Sequence, residues 1–395
     1  MLAGFGGSRS SMALQADGKV VMAGGTFTDF ILARFAADGS IDRGFGFLGD
    51  GTVTTDMGSG FISEEATAVA VQADGGIVVA GYTAIDNAPP NPDGPPTFAL
   101  AHYTAAGRLD TGFGRQGRVS ANVNGRAYAI AIQPDGRIVV AGEFSFESTN
   151  GSDFDDFTVA RFKADGNLDP TFGTDATGQI ARDLGATNSA RNIVLQPDGK
   201  IVVSGKPQGD QLGFDHTDVA RFNPDGSYDA SFGSGGRLKL AALDVGAGLA
   251  LQPDGKLVLV GARMQPNAPA FARFVRMRLN ADGTPDASFG TRGQVEAARS
   301  KNGRAGGVAV QADGRIVVVG TSVFESAGDF VVARYGSNGA VDTGFGIGGT
   351  LGIEFFNGSN LGENVLVMPD GRIVIGGMAV SSRGIRGYGV ARVLP

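Results

Sequence analysis

Five side chains at matching positions in the sequence have the types that proton transfer on a sugar requires. Two are carboxylates, two are guanidinium groups and one is a phenol, and each precedes the glutamine position of a sequence repeat by seven or five residues: Glu65, Arg126, Tyr128, Arg191 and Glu363. A carboxylate can accept a proton, a phenol can donate one, and arginine can neutralise a substrate carboxylate. If the chain is an enzyme, these residues predict a polysaccharide lyase or a glycoside hydrolase.

A second group of charged residues lies in the segments that differ most between the repeats. Acids come first along the chain and bases follow: Asp215, His216, Asp218, Arg273, Arg276 and Arg304. Variable loops on a rigid scaffold are where proteins usually bind ligands. We interpret this group as a binding surface for a glycan or a protein, although such residues can also serve only to solvate long loops.

One short acidic segment suggests a metal ion. Asp153, Asp155 and Asp156 are close together in the chain, and calcium takes six to eight oxygen ligands. The segment lacks the twelve-residue spacing and the final glutamate of the helix-loop-helix calcium site, so calcium is the one cofactor that we consider and its signal is weak. Zinc is less expected, because the chain has two histidines and no cysteine.

Composition excludes several other classes of protein. The chain has 395 residues, 65 glycines, no cysteine and a net charge of −7. Without cysteine there is no disulfide, thiolate metal site or cysteine nucleophile, and an acidic chain is not expected to have nucleic acid as its main partner. No apolar run approaches the ~20 residues of a membrane-spanning helix.

The candidate residues are positioned by a repeat that fills the chain. An apolar–Gln–x–Asp–Gly–Lys/Arg motif recurs every 56 to 63 residues, with its aspartate at positions 17, 74, 135, 198, 254, 313 and 370. Each copy has a second motif, which reads VARFKADGNLDPTFG over Val159–Gly173 in the third copy. Seven copies predict a single domain over residues 1–395, built from seven repeats of about 59 residues.

Each repeat predicts four β-strands. Alternating apolar residues over 129–133 lead into the turn Pro134-Asp135-Gly136, and a β-branched run follows over 137–142. A third strand carries Ala-Arg-Phe, and a fourth follows Phe-Gly. Seven such units without helical periodicity predict an all-β, seven-bladed β-propeller with four antiparallel strands per blade. A β-solenoid is the rival fold, but its coils are much shorter than this repeat.

The two chain ends predict how the propeller closes. The last repeat stops after its third strand, and residues 2–6 have the sequence of the missing end of that blade. Only 10 residues separate Phe5 from Gln15, against 20 to 27 between the same landmarks elsewhere. We therefore expect a circularly closed propeller with a thinned last blade, because closure removes exposed strand edges. The five residues of the first group then lie at the mouth of the central channel.

A ring of repeated arginines has two interpretations. Six repeats carry the arginine of Ala-Arg-Phe, and His102 replaces it in the second repeat. These groups could converge on an anionic ligand, but each of the first six repeats also has an aspartate eight residues later. Because buried charge must be paired, we predict structural ion pairs, with His102 facing Asp110. The phenylalanines of Phe-Gly are predicted to fill the gaps between blades.

Together the two motifs resemble the delta-60 repeat family. The resemblance rests on Gln-x-Asp-Gly-Lys and on Ala-Arg-Phe…Asp-Gly…Leu-Asp…Phe-Gly, which recur in register over essentially the whole chain. It implies a bacterial, secreted or surface-associated β-propeller, and it implies no catalytic residues. The chain departs from the pattern at Met368 for the glutamine, Gly76 for the basic residue and His102 for the arginine.

The favoured function is non-enzymatic recognition of a glycan or a protein through the variable-loop face, with the enzyme at the channel mouth as the alternative. We expect a monomer with no nucleic-acid partner. An extracellular or cell-surface location follows from the resemblance. Residues 1–12 lack the apolar segment of a signal peptide, so we expect none in this chain.

Overall fold

Short β-branched runs between glycine turns fold this chain into antiparallel sheets. Valine and isoleucine suit the pleated backbone, and glycine allows the tight turns, as at Gly136 with φ 84°. The computed structural model describes residues 9–26, 28–58, 61–85, 95–146, 154–182, 188–207, 216–241, 243, 245–265, 268–296, 304–324, 327–355, 360–380 and 386–394. These ranges contain no helix, and therefore none long and apolar enough to cross a membrane.

The chain divides into two compact units. The first unit, Gly4–Ile193 with Asn223–Ser227, contains three complete four-stranded sheets. In strand order these are β1 (Ser11–Leu14), β2 (Val20–Gly25), β3 (Phe30–Phe35) and β4 (Thr52–Thr55); β5 (Phe61–Val71), β6 (Ile77–Ile85), β7 (Thr97–Tyr103) and β8 (Arg118–Asn124); and β9 (Arg126–Ile132), β10 (Ile138–Phe146), β11 (Phe154–Phe162) and β12 (Gln179–Arg182). Most of β13 (Asn188–Leu195) also belongs to this unit.

The second unit comprises Met1–Ala3, Val194–Phe222 and Tyr228–Pro395. The fourth sheet continues from β13 with β14 (Ile201–Pro207), β15 (Thr217–Phe222) and β16 (Arg237–Leu240). The fifth contains β17 (Val245–Leu251), β18 (Leu257–Gln265), β19 (Ala268–Leu279) and β20 (Gln294–Glu296), and the sixth contains β21 (Arg304–Val310), β22 (Ile316–Phe324), β23 (Ala327–Tyr335) and β24 (Thr350–Ile353). The seventh consists of β25 (Asn360–Val367), β26 (Ile373–Val380) and β27 (Arg386–Val393).

These seven sheets are the blades of a seven-bladed β-propeller, which confirms the predicted fold class. Within each blade, strands that are neighbours in sequence pair with each other in antiparallel register. The last blade has three strands in the described part of the chain, as expected for a thinned blade. Residues 2–6, which were expected to complete it, lie outside the described residues. Circular closure and the single domain over residues 1–395 stay predictions.

The Phe-Gly phenylalanines fill the gaps between blades, as predicted. Phe45 of the first blade is fully buried and packs with Ile77 and Tyr103 of the second. A Cβ atom on Gly107 would lie 2.6 Å from the Phe45 ring, so the facing turn needs a glycine. Burying one such ring contributes about 1.5–3 kcal/mol. The repeated Asp-Gly glycine therefore serves packing as well as turn geometry.

The repeated arginines form the predicted ion pairs. Nε of Arg34 lies 2.9 Å from Oδ2 of Asp42, and the guanidinium group lies 4.6 Å from the centroid of the Phe45 ring. The same group donates to the carbonyl oxygen of Ala105 in the next blade. His102 takes this place in the second blade, with Nδ1 2.9 Å from Oδ2 of Asp110. The repeated arginines therefore have a structural role, and we call each arginine–aspartate pair a latch.

Candidate functional site

A β-bulge in the first strand of five blades sets the direction of several candidate site residues. In five blades the register between the first and second strands skips one residue of the first strand. The skipped residues occupy equivalent positions: Thr67, Tyr128, Ala247, Gly306 and Glu363. A bulge leaves its extra residue unpaired and re-aims the side chain. Tyr128 and Glu363, two of the five residues predicted at the channel mouth, occupy this position.

The facing strand needs a glycine at three of these bulges. A Cβ atom on Gly142 would overlap the carbonyl oxygen of Arg126, and one on Gly81 would overlap the carbonyl oxygen of Glu65. A Cβ atom on Gly377 of the last blade would overlap the carbonyl oxygen of Leu361 in the same way. In these three blades the glycine that ends the β-branched run is therefore a requirement of the bulge.

Glu143 is the centre of a polar group in the third blade. It follows Gly142, pairs across the sheet with Arg126, and is fully buried. Its Oε1 accepts hydrogen bonds from Nη1 of Arg126 at 3.1 Å and from the hydroxyl of Tyr128 at 2.8 Å. Its Oε2 lies 4.0 Å from Nη2 of Arg191 and has no hydrogen-bond partner among the described residues. One carboxylate therefore faces two arginines and a phenol.

A second carboxylate is held in the same way in the second blade. Glu65 pairs across the sheet with Tyr82 and is 3% exposed. Its Oε2 accepts a hydrogen bond from the Tyr82 hydroxyl at 2.9 Å, and its Oε1 accepts one from the backbone N–H of Arg9 at 3.2 Å. The Arg126 guanidinium lies 5.2 Å from the centroid of the Tyr82 ring, which connects the two groups.

Arginines also cover the ring of Tyr128. The guanidinium carbon of Arg191 lies 3.8 Å from the ring centroid, and that of Arg9 lies 5.0 Å from it. Nε of Arg191 donates to the hydroxyl oxygen of Ser189 at 2.7 Å, which fixes its side chain. We call the seven residues of this arrangement the inner-strand cluster, and all lie in the first unit: Arg9, Glu65, Tyr82, Arg126, Tyr128, Glu143 and Arg191.

The cluster holds its phenols neutral and its arginines charged. Burial raises the pKa of Tyr82 to about 12, and the adjacent Glu65 carboxylate acts in the same direction. Burial likewise raises the pKa of Tyr128. Burial lowers the pKa of Arg191 to about 10, helped by the charge of Arg9. At neutral pH both phenols are therefore hydrogen-bond donors, and Arg191 remains a cation.

A ligand that approaches the cluster would contact its guanidinium groups before its carboxylates. The cluster contains three guanidinium groups and two carboxylates, within a chain whose net charge is −7. The Arg126 side chain is 40% exposed, whereas that of Glu143 is fully buried. Forked guanidinium groups match planar carboxylates. Chemically, this arrangement can bind an anionic group, and its buried carboxylates are already engaged by donors.

Four of the five residues predicted for chemistry meet in this cluster: Glu65, Arg126, Tyr128 and Arg191. The fifth, Glu363, is the bulge residue of β25 in the second unit. Sequence reasoning did not assign Arg9, Tyr82 or Glu143 to the cluster. The sequence does contain a signal for two of them. Tyr82 and Glu143 each follow the glycine of the β-branched run, and the residue type at that position changes from blade to blade.

The group predicted to bind a ligand on the variable loops is partly buried. Asp218 and Arg276 are each 2% exposed, and Nε2 of His216 lies 3.3 Å from Oδ2 of Asp218. The Arg276 guanidinium lies 3.7 Å from the centroid of the Tyr335 ring. The other members lie outside the described residues, wholly or by their side chains: Asp215, Arg273 and Arg304. Ligand contact by this group stays a prediction.

The acidic segment proposed for calcium is described only in part. Asp153 lies outside the described residues, as do the side chains of Asp155 and Asp156, whose backbone belongs to β11. Across the part of the chain that the structure describes, no three histidine, aspartate or glutamate side chains group as a metal site would require. Calcium binding by the segment stays a prediction.

Comparison with solved structures found several similar chains. A polysaccharide lyase of family PL25, an ulvan lyase bound to -[GlcA(1-4)Rha3S]-, has a TM-score of 0.55 and 13% identity, with 96% of this chain and 90% of that chain covered. The polysaccharide lyase Uly1 has a TM-score of 0.49 and 12% identity over 98% and 90% of the chains. A protein of unknown function from Dyadobacter fermentans DSM 18053 has a TM-score of 0.43 and 13% identity over 86% and 92%.

Sequence comparison gives the family. No curated protein matches the chain. The model described as a domain of unknown function (DUF5122) beta-propeller matches seven segments that together cover more than half of the chain: residues 15–45, 72–113, 133–172, 196–232, 252–276, 277–289 and 311–345. The name delta-60 is more specific than this description, so similarity to the delta-60 family stays a resemblance. The chain belongs to the DUF5122 β-propeller family.

Proposed function

We propose that this propeller recognises an acidic glycan, one that carries uronate carboxylates, at the inner-strand cluster. The observation that carries the proposal is the surplus of guanidinium groups, of which Arg126 is 40% exposed while the Glu143 carboxylate beneath it is buried. An anionic sugar would meet Arg126 and Arg9 first. The Tyr82 and Tyr128 hydroxyls, held protonated by their raised pKa values, donate their single protons to Glu65 and Glu143, and their oxygens can accept hydrogen bonds from sugar hydroxyls.

One further point supports a sugar over an isolated carboxylate. The ulvan lyase with the same fold binds a glucuronate-containing saccharide, which is a property of that protein and suggests the class of ligand to test first.

A binding experiment with matched variants tests the proposal. Isothermal titration with oligoglucuronate should give saturable binding, while a neutral oligosaccharide of the same length should not bind. R126Q should weaken the affinity about tenfold, because a charge-assisted hydrogen bond is worth roughly 1.5–3 kcal/mol. R108Q, on an exposed turn, is the matched control and should leave affinity unchanged. Equal binding of neutral and acidic chains would refute the proposal, and binding only to an acidic protein would replace the glycan by a protein partner.

Eliminative cleavage of the bound glycan is the second candidate function. The observation that favours it is the 2.8 Å hydrogen bond between the Tyr128 hydroxyl and Glu143, since a carboxylate can take the phenol proton and leave a phenolate base. The raised pKa of Tyr128 opposes this role. Hydrolysis is less supported, because both carboxylates of the cluster are buried behind hydroxyl donors.

Product analysis separates binding from cleavage. A lyase would release an unsaturated uronate with a new ultraviolet absorbance, and Y128F would abolish that signal while keeping most of the affinity. If a ligand binds but the absorbance does not change, recognition is the whole function. An extracellular or cell-surface location is part of this proposal and rests on the repeat resemblance.

A further inference from the structure

A cleft of about 600 Å³ lies along the outer strand of the second blade, apart from the inner-strand cluster. Residues of the first three blades line it, and all of them belong to the first unit: Met57, Gly58, Gly114–Gln116, Arg118–Ser120, Gly166 and Asn167. This volume lies within the range of small-molecule sites, roughly 300–1,000 Å³. It can hold a monosaccharide or a disaccharide.

Two arginines of the cleft lack the ion pairs that the repeat arginines have. In the described part of the chain, neither Arg115 nor Arg118 forms a salt bridge, whereas Arg34 and its equivalents each hold an aspartate. Nε of Arg118 is buried and has no hydrogen-bond partner among the described residues. A buried N–H without an acceptor is costly, and an anionic ligand would supply one.

Arginine occupies both of these repeat positions only in this blade. The residue that starts the outer strand is threonine, glutamine or arginine in the other blades, and the only other arginine, Arg237, stacks on Tyr228 at 5.1 Å. Gln116 has φ 54°, and the equivalent residues of the fourth, fifth and sixth blades also have positive φ: Gly235, Arg292 and Gly348. This turn geometry is shared by four blades, so the pair of arginines is what distinguishes the second blade.

A buried acid that interacts with Arg118 cancels this positive charge only in part near neutral pH. Glu64 is 1% exposed, and its Oε2 accepts the backbone N–H of Met57, which lines the cleft, at 2.9 Å. Burial raises the pKa of Glu64 to about 7, so roughly half of the carboxyl groups are neutral at pH 7.

We propose that this cleft is a second binding site, independent of the inner-strand cluster, for a small sugar that carries a carboxylate or a phosphate ester. Arg118 and Arg115 would bind the oxyanion, since the guanidinium fork matches either group. The side chains of Gln116, Ser120 and Asn167 would supply hydrogen bonds to hydroxyl groups.

Titrations with three probes test this site. Glucuronate and glucose 6-phosphate distinguish the two oxyanions, and glucose is the neutral control. We expect at least one anionic sugar to bind about tenfold more tightly than glucose, and R118Q to remove about that factor. R115Q provides a second variant if R118Q does not fold. R237Q, at the same repeat position in the fourth blade, should change affinity less than twofold.

The same titrations separate this site from the proposed function. R126Q should leave unchanged the part of small anionic sugar binding that R118Q removes, while it weakens oligoglucuronate binding. Equal affinity for glucose and both anions, or affinity that falls with R126Q and not with R118Q or R115Q, would overturn the second site. Loss of oligoglucuronate recognition alone would refute only the inner-strand proposal.

Discussion

Replacing Glu64 by glutamine should stabilise the protein above pH 7 and have little effect below pH 4.5. Glu64 is 1% exposed, and burial raises its pKa from 4.5 to about 7. A carboxyl group whose pKa is higher in the folded than in the unfolded chain stabilises the fold fully only below the unfolded pKa. That contribution is lost as the pH rises through about 7. A gap of roughly 2.5 pKa units corresponds to about 3 kcal/mol, and glutamine keeps the acceptor for the Met57 N–H without ionising.

Urea titrations of the wild type and E64Q at pH 4, 6 and 8 measure this effect as the free energy of unfolding. The difference between the two proteins should be small at pH 4 and should reach about 3 kcal/mol in favour of E64Q at pH 8. E354Q, at an exposed position, is the matched control and should follow the wild type at every pH. A difference that stays constant with pH, or that grows as the pH falls, would refute the reasoning.

Three other substitutions test the bulge, the latch and the polar cluster. G142A should destabilise the fold by several kcal/mol in urea titration, because its Cβ atom overlaps a carbonyl oxygen, while G352A, which has open space, should cost less than about 1 kcal/mol. H102R should raise the free energy of unfolding by about 1 kcal/mol by restoring the arginine latch to Asp110, and an unchanged or lower value would contradict the structural role of the latch. Y128F should cost about 1–3 kcal/mol because a buried carboxylate loses its phenol donor, and an unchanged urea midpoint would argue against that hydrogen bond.

The fold could be predicted from the sequence because its signals are local and recur seven times. A turn such as Pro134-Asp135-Gly136 needs only its own residues to form, and the run over 137–142 is β-branched wherever it recurs. The arginine–aspartate latches could also be predicted, since Arg34 and Asp42 are separated by the same eight residues as their equivalents.

The candidate site could be predicted only in part because it depends on contacts between strands. The spacing identified Tyr128 and Arg191 as equivalent residues, but it could not show that Arg191 lies over the Tyr128 ring. Glu143 and Tyr82 were missed because they belong to the second strands, and their place in the cluster follows from the cross-strand register. The cleft beside Arg118 combines residues of three blades, and no motif within one repeat encodes such a combination.

Because a facing glycine accommodates the bulge, the bulge side chain can differ between blades while the strand backbone stays the same. The backbone and the glycine maintain the bulge, so the bulge residue itself takes no part in the strand ladder. The same geometry accommodates threonine, tyrosine, alanine, glycine and glutamate in five blades of one chain. Exchange of that residue leaves the strand ladder intact, and its cost depends on what the side chain contacts. Gly306 cannot be replaced, because a Cβ atom would lie 1.9 Å from the carbonyl oxygen of Gly362, and Tyr128 donates to Glu143. At the other bulges, members of this family should acquire new ligand preferences by single substitutions, without any change in loop length.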